Sequence, residues 1–161
     1  MRRRIDVDAL RSVVFGVEDS LVSTTGVVLG VAAGSGDARF VALAGLVTVL
    51  VEAISMGVGQ YLSEEAVHEL DPHHRDSPAL QGVLMFLSYV IAGFVPLAPA
   101  LVLPYPASVP VILAASAFGL FGLGYVKAAF LGRPRWRGGF RILLLGGIAT
   151  VAGIVVGVLF R

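Results

Sequence analysis

No cysteine occurs in the 161 residues. That excludes a disulfide framework, a Cys-ligated zinc site and thiol catalysis. Charge is also scarce: Asp, Glu, Lys and Arg make up 14% of the chain, against about a quarter in a soluble domain. Hydrophobic residues reach 57% and the mean hydropathy is +0.87. So little polar surface cannot wrap an apolar core in water, and the class is integral membrane protein. No His-Glu-x-x-His or other catalytic metal motif is present, so no enzyme activity and no cofactor are expected. The net charge of +1 says nothing about partners; the placement of the charges does.

Five apolar stretches, roughly 12–34, 39–62, 82–104, 109–131 and 140–160, are each about 20 residues long and can cross the hydrocarbon as helices. They lack the inside–outside alternation of barrel strands. The expected fold is therefore all-α, a single membrane domain of five transmembrane helices with a short inner loop at 63–81 and no room for a second, soluble domain. With the N-terminus inside, the inner side collects Arg2, Arg3, Arg4, Arg11, Arg75, Lys127, Arg133, Arg135, Arg137 and Arg141, and the outer side holds only Arg39 and Arg161. This asymmetry orients the chain N-in and C-out. A signal-peptide reading of Arg2–Arg4 and "GVAAGSG" is set aside, because the apolar region of a signal peptide should not contain the adjacent acids Glu18 and Asp19.

Those acids are the anomaly. Gly16, Asp19, Ser23, Gly26 and Gly30 recur at spacings of three and four, so they share one stripe of the first span. Gly45, Thr48, Glu52, Ser55, Gly59 and Ser63 repeat the pattern in the second. In a membrane such a stripe marks close helix approach or a polar path. Packing accounts for the glycines and serines but not for Glu18, Asp19 and Glu52, since a charge near the middle of a span costs roughly 2.5–3.5 kcal/mol. Asp19 lies about 12 Å along the first span at 1.5 Å per residue. Met56 reaches a similar depth on the antiparallel second span, with Glu52 one turn deeper. Carboxylate oxygens with a thioether tilt a site toward first-row transition metals. One chain supplies few such ligands, and a two-fold dimer would double them.

The segments "RSVVFGVEDSLVSTTGVVLG" and "VEAISMGVGQYLS" resemble the paired first and second helices of the vacuolar iron transporter (VIT) family. That family shows Phe-Gly-x-x-Asp-Gly-Leu-Val-Ser followed by Ala-x-Ser-Met-x-x-Gly-x-Tyr-x-Ser. "FGLGYVKAAFLG" and the Gly-rich last span are also similar. The resemblance implies a five-helix homodimer with the path at its two-fold interface, moving Fe²⁺ or Mn²⁺ out of the cytosol in exchange for protons. It places metal ligands at Asp19 and Met56. Ser20 stands where Gly is usual, Glu52 where many members have a small residue, and Gln60 where Glu is frequent. Only "SEEAVHELDPHHRDSPALQ" fills the gap that holds a Glu- and Met-rich domain in the iron-storing members, so the chain resembles the short branch.

Asp19, Met56, Glu52 and Glu18 are thus the candidate metal residues, with Glu18 or Glu52 carrying the proton while Asp19 holds metal. At the inner mouth, Glu64, Glu65, His68, Glu69, His73 and His74 either collect cations or form a solvated loop. Lys127 is expected to snorkel to the interface rather than pair with an acid. The turn "GRPRWRGGFR" is expected to touch anionic lipid headgroups, with no nucleic-acid partner. Pro96 and Pro99 should kink the third span, and Gly153 and Gly157 suit a close helix contact. The expected location is the plasma membrane. The rival reading is a non-transporting scaffold or regulatory member of the same fold.

Overall fold

The computed structural model describes residues 7–71 and 76–161. Five helices follow one another: α1 Val7–Ser35, α2 Ala38–Leu70, α3 Pro78–Val102, α4 Ser108–Phe130 and α5 Arg135–Leu159. All five are long and apolar enough to cross a membrane. Between its end turns a helix satisfies its backbone N–H and C=O groups within itself, which hydrocarbon demands. The breaks carry local stop signals. Gly36 takes φ +61°, and Asp37 then caps α2 by accepting from the Arg39 N–H at 2.7 Å. Ser77 caps α3 ahead of Pro78. Gly132 takes φ +64° after α4. Left-handed backbone of this kind is cheap only for glycine. α3 is assigned as one helix through both Pro96 and Pro99, each buried.

α1 touches all four other helices, whereas α2 meets neither α4 nor α5, and α3 does not meet α5. α1 is therefore the central element, and between α2 and α5 one of its faces has no helix over it among the described residues. Two apolar clusters hold the bundle. One joins Val28, Leu29, Ala32, Val41, Ala100 and Ile112, and the other joins Leu21, Ala92, Leu120 and Ile142. Large apolar side chains point outward from mid-helix instead, with Ile91 71%, Phe118 79% and Leu144 70% exposed. A water-soluble protein does not present such a continuous belt.

α1 and α5 run parallel with their backbones pressed together. A Cβ placed on Gly157 would lie 1.9 Å from the Gly30 carbonyl oxygen, and one on Gly153 would lie 2.3 Å from that of Gly26. The Gly153 and Gly157 expectation holds, and it reassigns part of the α1 stripe: Gly26 and Gly30 serve helix packing. Gly16 does too, its position closed off by Ser88 and Met85 of α3. α2 differs from its expected end near residue 62. It continues to Leu70, about 50 Å in all at 1.5 Å per residue, because "SEEAVHEL" has no breaker before the aspartate–proline pair.

Candidate site in the membrane interior

Glu52 of α2 faces both α1 and α3. Ser23 Oγ donates to Glu52 Oε2 at 2.8 Å, and the Tyr89 hydroxyl donates to the same oxygen. Ser23 Oγ and Tyr89 OH are themselves 2.5 Å apart. Tyr89 is fully buried, and its backbone carbonyl accepts from Ser20 Oγ at 2.6 Å. Three helices are thus tied at one carboxylate, so the acid that departs from the family pattern is built into the bundle. Tyr89 is the residue that sequence reasoning missed. It sits among apolar neighbours in "FLSYVIAG", and nothing in its spacing marks it.

Asp19 lies one helical turn before Ser23, half-buried. Among the described residues its carboxylate has no hydrogen-bond or ion-pair partner, and the negative charges acting on it are those of Glu52 and Glu18. Met56, also half-buried, follows Glu52 by one turn on α2. No three acidic or histidine side chains among the described residues gather closely enough to hold a metal ion within one chain. Beyond Ser23, toward the acidic N-cap of α2, a 760 Å³ groove follows α1 and α5 past Gly26 and Gly30.

Glu18 points away from Asp19, as adjacent residues on a helix must. It pairs with Lys127 Nζ at 3.6 Å. The snorkelling expected of Lys127 is thereby corrected: α1 packs against α4 at this level and brings an acid within reach. Arg11, Glu18 and Lys127 line a 610 Å³ cavity at the basic end of the bundle.

The expected cation-collecting mouth divides. Glu65 is exposed and accepts from Tyr61 OH at 3.0 Å, and Glu69 is exposed on the same helix. Glu64 is instead only 1% exposed, so its place at a solvated mouth is corrected. Its carboxylate accepts from Arg11 Nη2 at 2.5 Å and from Gln60 Nε2 at 3.0 Å, which fastens α2 to α1. His68 Nδ1 lies 3.1 Å from the Glu64 carbonyl oxygen. His73 and His74 fall outside the described residues. Next to Arg11 in the chain, Ser12 Oγ and the Gln81 side-chain amide are 2.8 Å apart, so α3 is held at the same level. Arg11→Met is expected to cost about 2–3 kcal/mol, because it strips the guanidinium from a buried carboxylate, while Arg11→Met with Glu64→Gln should recover most of the loss. Thermal unfolding in detergent checks this. A single variant that melts like the wild type would show that the pair does not hold the helices.

The VIT family model matches residues 10–76 and 64–158. Two proteins of Oryza sativa subsp. japonica, vacuolar iron transporter homologs 1 and 5, are each 30% identical. The alignments cover 87% and 93% of this chain and 68% and 78% of those proteins. Vacuolar iron transporter 1 of Arabidopsis thaliana is 26% identical over 90% of this chain and 83% of its own length. With the family model matching through all five helices, this chain belongs to the VIT family.

Proposed function

We propose that this protein transports a divalent transition metal, Fe²⁺ or Mn²⁺, out of the cytosol in exchange for protons, as a homodimer that shares its site across a two-fold axis. The observation that carries the reading is Asp19: a carboxylate sunk mid-span with no partner among the described residues, where an unpaired charge is expensive unless a cation visits it. The name of its relatives as iron transporters supports a metal as that cation. Asp19 and Met56 act as ligands with Glu52 one turn deeper. The scarcity of ligands in one chain and the uncovered face of α1 support a second copy laid against that face. Glu52 already holds two hydroxyls and Glu18 holds Lys127, so both serve as acids beside the metal, where protons and metal compete for oxygens. Glu65 and Glu69 draw cations to the basic end, which the positive-inside rule sets at the cytosol. The relatives are named for the vacuole, so the plasma-membrane expectation finds no support in them.

The test is uptake into proteoliposomes over a panel of Fe²⁺, Mn²⁺, Co²⁺ and Zn²⁺, with and without a pH gradient. Fe²⁺ or Mn²⁺ flux that quickens when the far side is acidic is expected. Absence of flux for every ion, with no metal-dependent thermal shift, would favour the scaffold reading instead.

A further inference from the structure

At the basic end of the bundle, a second cavity of 380 Å³ opens between α4 and α5. Arg133, Arg137, Arg141 and Lys127 line it. Among the described residues its one acid is Glu18, already paired with Lys127, and the three arginines have no carboxylate partner. Arg135 is spent elsewhere, with its guanidinium 5.8 Å from the centre of the Tyr125 ring. Three arginines around one concavity call for an anion with several oxygens. The rest of the lining is apolar: Ala128 on α4 and Leu131 just after it, then Ile142 and Leu145 leading along α5 toward mid-membrane. Beside it, Phe121, Tyr125, Trp136 and Phe140 form an aromatic cluster with ring centres 5.3–6.2 Å apart, which marks the headgroup level of a bilayer. A cationic rim above an apolar slope fits an amphiphile rather than a free ion.

We propose that this cavity binds one anionic phospholipid, with its phosphate among Arg133, Arg137 and Arg141 and an acyl chain along Ile142 and Leu145, and that occupancy reaches the metal path through Lys127. Lys127 and Glu18 line both this cavity and the 610 Å³ cavity next to it, so their ion pair is the partition between the two. A phosphate in the cavity competes with Glu18 for the ammonium and releases a carboxylate next to Asp19. The coupling half rests on the transport reading; the binding half does not.

Two measurements separate them. Protein extracted from phosphatidylcholine membranes containing phosphatidylglycerol is examined intact by mass spectrometry for retained lipid. One phosphatidylglycerol per chain is expected. Arg137→Gln with Arg141→Gln should lower retention about twenty-five-fold, since each basic group near an anionic surface contributes roughly fivefold. Arg39→Gln, at the opposite end, should not change it. Unchanged retention in the double variant, or equal retention of soluble glycerol phosphate, overturns the lipid site. Metal flux is then compared in vesicles with and without phosphatidylglycerol. Wild-type flux should rise several-fold with the anionic lipid, and the double variant should not respond. Retention without any flux response leaves the site standing and overturns the coupling. Loss of flux under every lipid condition, with retention intact, falls on the transport reading alone.

Discussion

Replacing Asp19 with Asn is expected to lower Fe²⁺ or Mn²⁺ flux in proteoliposomes by at least about a hundredfold, since changes one shell further from a metal already cost 10–100-fold. Asparagine keeps an oxygen at the same place and removes only the charge. A divalent ion entering the membrane must shed water, and a neutral amide does not compensate that loss. The fold should be indifferent. The Asp19 carboxylate has no hydrogen-bond or ion-pair partner among the described residues, so nothing is broken. Neutralising it also removes part of an insertion cost of roughly 2.5–3.5 kcal/mol. Melting at or above the wild-type temperature with flux at the level of protein-free vesicles is therefore the expected pair of results. Wild-type flux in this variant would end the proposal that Asp19 carries the metal.

The largest stability effect should come from Gly157→Leu. The Gly30 carbonyl oxygen occupies the space of even a Cβ at this position, at 1.9 Å, and it belongs to backbone that cannot rotate away. A leucine must wedge α5 from α1 and undo the Gly26–Gly153 contact one turn below. Overpacking on this scale costs about 3 kcal/mol, a fall in melting temperature of roughly 6–12 °C for a chain of this size. Gly122→Ala is the matched control. Its Cβ meets nothing within 4 Å, so it should melt at or above the wild type, given the better helix propensity of alanine. Equal melting of all three proteins would mean that α1 and α5 are not held by this seam.

Much of the site is legible in residue spacing. Depth along a helix follows from residue number alone, so Asp19, Glu52 and Met56 fall at neighbouring levels of two antiparallel spans. Spacing does not disclose which neighbour each side chain meets. The α1 stripe holds Gly16, Asp19, Ser23, Gly26 and Gly30 in one line, yet Gly16 packs on α3 and Gly26 and Gly30 on α5, while Ser23 bonds Glu52. Lys127 pairs with Glu18, and Glu64 is buried against Arg11, for the same reason: periodicity fixes the angle of a residue about its own axis, not the identity of the helix that comes to lie there. Tyr89 left no trace because a tyrosine in an apolar run is also ordinary interfacial filler.

The amino-acid order determined that the chain is membrane-spanning, all-helical and five times crossing, and that acids lie at mid-depth in its first two spans. Those properties depend on hydrophobic length and residue spacing, which are local and additive. Tertiary structure alone decided that α1 is central, that glycines join it to α5, that Glu52 is held by Ser23 and Tyr89, and that three arginines share a cavity whose wall is the Glu18–Lys127 pair. Each of those depends on how helices are rotated and set against one another, a balance of many weak contacts between residues far apart in the chain.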